Sequence, residues 1–214
     1  MPSEFDIRCS CGSMQGRAVA GKGHRGNRLV CYCDDCQSFA HFLERAGDVL
    51  DRHGGTEIYQ MSPADVAFVS GGEHLAAVRL RPKGLLRWYA GCCNTPIGNT
   101  LATPNLPFVG VINACAHAGP DGRPLGDVQG PVKGRIMGRF ATGDRDGLDA
   151  HNAIPPSMMA RFMWNMLRWR FRRDRRSTPF FDAGTGQPVV EPRVLSDTEL
   201  QDVERRRDGA AQSA

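Results

Sequence analysis

Asn27-Arg28-Leu29-Val30-Cys31-Tyr32-Cys33-Asp34-Asp35-Cys36 is an apolar, strand-forming run that ends in three thiols within six residues. Three thiolates from so short a loop can hold one tetrahedral ion and leave its fourth position open, as catalytic zinc sites do, unless a distant residue closes it. Upstream, Cys9-Ser10-Cys11 is followed by Gly12, which lets backbone amides turn toward bound thiolates. Downstream, Cys92-Cys93 brings ligands from far along the chain and would tie the N-terminal strands to its middle. The candidate metal ligands are therefore Cys9, Cys11, Cys31, Cys33, Cys36, Cys92 and Cys93. Zinc is favoured over an iron–sulfur cluster because no ferredoxin-like four-cysteine spacing occurs. Cys115, inside the apolar run from Phe108 to Ala116, reads as a small buried hydrophobe. His41, His53, His74 and His117 are scattered without ligand spacing.

Eight cysteines mean different things in different compartments. The opening MPSEFDIRCS has neither the basic start nor the apolar stretch of a secretory signal, and no apolar run is long enough to span a membrane. A cytoplasmic location is expected, where clustered thiols serve as metal ligands rather than disulfides. With 214 residues, 41% of them hydrophobic, the chain can bury one ordinary core. That predicts a zinc-binding domain over residues 1–176 and a polar, partly disordered tail over 177–214. The net charge of +4 is uneven, since residues 161–176 hold seven arginines against one aspartate. Bulk charge does not draw the body toward nucleic acid, but this patch can meet an anionic partner.

The first 115 or so residues alternate short strand-like runs with turns. Glu4 to Cys9, Gln15 to Ala20, Asn27 to Val30, Glu57 to Met61, Leu75 to Leu80, Leu85 to Tyr89, Thr95 to Leu101 and Phe108 to Cys115 carry β-branched, aromatic or alternating apolar residues. Arg81-Pro82-Lys83-Gly84 supplies hairpin-turn chemistry. Cys36 to Arg45 reads as helical, and Gly119 to Gly130 and Ala141 to Gly147 as loops. Pro155-Pro156-Ser157 opens a helix that no Gly or Pro stops before Arg176, with apolar residues mostly at three- and four-residue spacing. Ser196 to Arg207 forms one more short charged helix. The expected fold is mainly β with a C-terminal amphipathic helix and tail.

Cys9-x-Cys11-Gly12, Cys31-x-Cys33-x-x-Cys36 and Cys93-Asn94-Thr95-Pro96-Ile97, in that order, resemble the glutathione-dependent formaldehyde-activating enzyme family, which includes the centromere-protein-V-like proteins. The resemblance covers roughly residues 5–117. It implies two layered antiparallel sheets around zinc. One structural ion would be held by Cys9 and Cys11 with the last motif, and a second by Cys31, Cys33 and Cys36, where a thiol such as glutathione binds. The family usually presents Phe-Cys-x-x-Cys-Gly-Thr-Pro, whereas this chain reads Tyr89-Ala90-Gly91-Cys92-Cys93-Asn94-Thr95-Pro96, with Ala90 where a ligand is expected. Neighbours on an extended strand point to opposite faces, so Cys92 and Cys93 need not serve the same ion. The expectation is that Cys93 closes the structural site with Cys9 and Cys11, and that Cys92 reaches either that ion through a bend or the second one. Filling the second site would remove its open position.

An open site at Cys31, Cys33 and Cys36 predicts a carbon-sulfur lyase acting on a thiol adduct such as S-hydroxymethylglutathione. Asp34 and Asp35 would accept a proton or orient a ligand. Lys22, His24 and Arg25, in a glycine-flanked loop, would meet the carboxylates of a glutathione-like co-substrate. The alternative is a non-catalytic, zinc-stabilised module. Its helix, with Arg168, Arg170, Arg172, Arg173, Arg175 and Arg176 interleaved by Trp164, Trp169 and Phe171, would touch nucleic acid or an anionic membrane surface. Oligomeric state is not legible.

Overall fold

A computed structural model describes residues 3–20, 26–172 and 177–212. Twelve strands and five helices follow in chain order: β1 (Ser3–Arg8), β2 (Gln15–Ala20), β3 (Asn27–Cys31), α1 (Asp34–Phe42), α2 (Ala46–Val49), β4 (Thr56–Met61), β5 (Val66–Ser70), β6 (Leu75–Arg79), β7 (Leu86–Ala90), β8 (Thr95–Thr100), β9 (Val109–Ile112), β10 (Ala116–Ala118), α3 (Leu125–Gln129), β11 (Arg135–Ile136), α4 (Pro156–Arg170), β12 (Arg193–Val194) and α5 (Asp197–Gln212). They form a four-stranded sheet, β10-β1-β2-β5, and an eight-stranded sheet, β11-β3-β4-β9-β8-β7-β6-β12. Pairing is antiparallel except at the two outer strands of the larger sheet, where β11 runs parallel to β3 and β12 parallel to β6. The expected β-rich, two-sheet fold with a C-terminal helix is what the chain adopts.

Side-chain alternation decides what each face of the larger sheet meets. Tyr59 and Met61 of β4, Leu86, Trp88 and Ala90 of β7, Ile97 of β8, and Val109 and Val111 of β9 point at the small sheet, where Phe5, Ile7, Ala18 and Ala20 complete the main core. Phe5 stands edge-on to Tyr59 with ring centroids 5.7 Å apart. The residues between them face the other way. There Val78, Ile112 and Tyr89 pack under Phe39 and Phe42 of α1, Leu43 just after it, and Leu195 and Leu200 around α5. At the opposite end of that face, Phe108 and Leu101 pack against Phe162, Met166 and Trp169 of α4.

Several boundaries differ from the sequence reading for local reasons. The run from Phe108 to Cys115 is interrupted, because Asn113–Cys115 forms a 3-10 turn that separates β9 in one sheet from β10 in the other. The first helix begins at Asp34 rather than Cys36, since Cys33 is its N-terminal flanking residue and the two aspartates suit its first turn. A short helix, α3, lies within the Gly119 to Gly130 stretch, and β5 lies in a stretch not assigned to a strand. The described part of the long helix closes at Arg170. Beyond it the chain returns to the body, with Phe180 and Phe181 buried against Trp88 and β12 paired on β6. Among the described residues no helix is long and apolar enough to cross a membrane.

Candidate metal centres

Cys9, Cys11, Cys92 and Cys93 converge at one end of the two sheets, with their sulfurs all within 4.8 Å of one another. Cys9 and Cys11 sit on the turn from β1 to β2, which Gly12 closes in the left-handed conformation (φ 78°), donating its N–H to Cys9 O at 2.9 Å. The other pair comes from the loop joining β7 to β8. Ala90 and Thr95 are cross-strand partners, so Gly91-Cys92-Cys93-Asn94 is a four-residue turn, with Asn94 at φ 56°. In a turn, unlike a strand, adjacent side chains can share one side, so Cys92 and Cys93 join the same group. The separations are 3.5 Å for Cys9–Cys11, 3.8 Å for Cys9–Cys92, 3.4 Å for Cys11–Cys92 and 3.8 Å for Cys92–Cys93. Four sulfurs at Zn–S distances of about 2.3 Å in a tetrahedron stand about 3.8 Å apart. The four-thiol set thus fits a closed metal site bridging the two sheets.

The surrounding polar groups favour negative charge there. Met14 N–H donates to Cys9 Sγ at 3.2 Å, and Thr95 Oγ1 lies 3.1 Å from Cys93 Sγ. Desolvation raises the Cys93 thiol, but hydrogen bonds from Ser10, Thr95 and Cys11 outweigh it and hold it at about 5. Hydrogen bonds from Ser13 lower Cys11, whereas desolvation and the neighbouring thiols push Cys92 up. A cation at the centre would take the place of the proton left on Cys92.

Cys31, Cys33 and Cys36 form the second group. Cys31 ends β3, Cys33 precedes α1 and Cys36 lies in its first turn, so backbone N–H groups and the helix dipole favour thiolate there. Among the described residues no fourth Cys, His, Asp or Glu joins the three. Hydrogen bonds from Cys31 and Cys33, then the charge of Arg87, hold Cys36 well below the ordinary thiol range. Hydrogen bonds to Cys33 and Cys36, together with burial, push Cys31 up.

Arg87 is the functional neighbour that motif reading passed over. It is 2% exposed on the outer face of β7, with its guanidinium 5.4 Å from the Phe39 ring centre, 3.3 Å from Asn99 Oδ1 and 3.8 Å from Asp35 Oδ2. A lone arginine in the strand run Leu85-Leu86-Arg87-Trp88-Tyr89 was the available signal. Asp35 also pairs with Arg81, and Asp34 lies 3.9 Å from Arg207 of α5. Both carboxylates are thus engaged beside the thiols rather than pointing at them unpaired. Cys115 is buried, donates to Ile112 O at 3.1 Å and is pushed up to about 12 by burial. Lys22, His24 and Arg25 lie outside the described residues, as do Arg173, Arg175 and Arg176.

The family described as "Family of unknown function (DUF6151)" matches residues 1–192. No curated protein matches the chain. Among solved structures, a crystal structure of a Rhodobacter sphaeroides protein is similar over 59% of this chain and 96% of its own, at 19% identity and a TM-score of 0.39.

Proposed function

We propose a function for this chain, which belongs to the DUF6151 family of unknown function, from the unequal division of its seven clustered cysteines. Cys9, Cys11, Cys92 and Cys93 form a closed structural zinc site, and Cys31, Cys33 and Cys36 form the working site of a zinc-dependent carbon-sulfur lyase. The observation that carries this reading is the position of Cys92 in the first group, which leaves the second with three thiols. Zinc held by those three would take an incoming thiol as its fourth ligand and keep it deprotonated at neutral pH. The reaction is reversible addition of that thiol to a small aldehyde. A carbon–sulfur bond forms, the carbonyl pair moves onto oxygen, and the proton released by the thiol ends on that oxygen. S-hydroxymethylglutathione is the adduct proposed, with glutathione as co-substrate and Lys22, His24 and Arg25 as partners for its carboxylates.

The chain's own groups set the electrostatics. Arg87 offsets the excess negative charge of the thiolates beside Cys36. Asp35, fixed between Arg81 and Arg87, orients that guanidinium, and Asp34 ties the start of α1 to α5 through Arg207. Their role under this reading is orientation rather than proton transfer. Titrating glutathione into cobalt-substituted protein tests it. A shift in the thiolate-to-cobalt absorption that disappears in Cys36→Ser, with turnover of S-hydroxymethylglutathione lost in the same variant, supports the lyase. No shift and no turnover above Cys36→Ser overturns it.

One observation favours the interaction-module alternative. Met163, Trp164 and Leu167 of α4 and Phe171 just beyond it are 52%, 60%, 46% and 76% exposed, beside the exposed Arg161 and Arg168. Arg170 and Arg172, by contrast, hold Asn105 O and Asp65. Salt-sensitive binding to DNA or anionic vesicles, abolished by Trp164→Ala with Arg168→Ala, would support that role. Its absence would leave the face without this function.

A further inference from the structure

The outer face of the eight-stranded sheet and α4 enclose a cavity of about 660 Å3, within the range of small-molecule sites. Its inner wall is mainly apolar: Leu29, Ile136 and Phe108 are buried there, Leu101 and Phe162 are half-buried, and Asn27 and Gln60 add two amides. Met158 and Met159, flexible and polarisable, line the α4 side and can adapt to an occupant's shape. The mouth is different. Lys133 and Arg161 stand there exposed, and neither side chain has an acidic partner among the described residues. No aspartate or glutamate lines the cavity. The Lys133 backbone is anchored to β3 by its N–H, which donates to Arg28 O at 2.7 Å, so this cation is carried on a fixed segment.

Arg81 and Arg87, beside the three thiols, are matched by Asp35. Lys133 and Arg161 also border a neighbouring cleft that Asp127 lines, so one carboxylate faces two cations there and a net positive potential remains at the opening of the apolar wall. An apolar ligand alone would leave that potential unused, and a purely ionic one would leave the wall unfilled. We propose that the cavity binds a small anionic amphiphile, with a carboxylate or sulfonate between Lys133 and Arg161 and an apolar body running inward over Leu101 and Phe162 to Leu29. Leu29 and Ile136 in turn pack on Cys31 and Cys36, so the occupant's inner end lies against the wall behind the three thiols. The inference goes beyond the lyase reading and does not rest on it, because the ligand needs no thiol and no zinc contact.

Calorimetric titration of the full chain with dodecanoate and dodecyltrimethylammonium, both below their micellar range, and with dodecanol below its solubility limit, tests the assignment. Dodecanoate is expected to bind at one per chain and about tenfold or more tighter than the cationic analogue. Replacing both surface cations, Lys133→Gln with Arg161→Gln, is expected to weaken dodecanoate about tenfold and leave dodecanol unchanged. Both positions are exposed, so the variant should fold as the parent does. Absence of saturable dodecanoate binding overturns the proposal. So does equal affinity for the anionic and cationic chains, or a double variant that binds dodecanoate as tightly as the parent. None of these results bears on turnover of S-hydroxymethylglutathione, so this inference and the lyase reading can fail separately.

Discussion

At the scale of single residues, the seven clustered cysteines were legible because thiols one to three residues apart, recurring in three short groups, have the spacing of metal ligands. What spacing did not carry was the partner of Cys92. Strand alternation separates adjacent residues, and only the four-residue turn closed by Asn94 puts both thiols on one side. Arg87 was hidden for a related reason: its neighbours mark it as strand, and only folding brings it to Cys36. The Cys93 thiol, lowered from 9 to about 5, gives a pH prediction for the metal-free chain. A thiol whose folded value lies below its unfolded one contributes stability above pH 9, and that contribution is lost as pH falls through 5. The urea midpoint of chelator-treated protein should therefore fall between pH 9 and 5 more steeply than that of Cys93→Ser. Parallel profiles would show that Cys93 is not the depressed group.

At the scale of elements, most strands were legible from alternation. The exceptions were set by partners outside the local sequence. β11 and β12 are two-residue strands that exist because β3 and β6 offer edges to pair with, and one β-branched residue in each, Ile136 and Val194, is too short a run to mark them. β5 carries Val66 inward while Val69 is 70% exposed, so its apolar pattern is irregular, yet it edges the small sheet by pairing with β2. The β7–β8 hairpin is the element on which the four-thiol site depends. Asn94 at φ 56° occupies a conformation that β-branched residues resist. Asn94→Val should cost about 1–2 kcal/mol in urea unfolding and loosen metal binding at that site, whereas Asn94→Gly should do neither. Equal stability of the Val and Gly variants would contradict the turn geometry.

At the scale of the whole molecule, residue periodicity pointed to a β-rich body with a C-terminal helix, and the resemblance implied its layering. The path of the chain beyond α4 was not legible, because Pro- and Gly-rich polar segments hide the few residues that anchor them. Phe180, fully buried against Trp88 and Phe68, is such an anchor. Phe180→Ala should cost about 3–5 kcal/mol and lower the melting temperature on the order of 10 °C. A loss under about 1 kcal/mol would mean that the segment does not complete the core. The larger consequence of the fold is that one cysteine group bridges the ends of the two sheets while the other lies on the outer face beside Arg87 and behind the apolar cavity. Under the function proposed above, one centre holds the sheets and the other carries the chemistry. Zinc X-ray absorption with metal counting tests that division most directly. Two ions per chain with a mean of about 3.5 sulfurs and a fraction of a lighter ligand, becoming one ion with about four sulfurs in Cys36→Ser, is the predicted result. A single ion per chain, or four sulfurs around both ions in the parent, would contradict it.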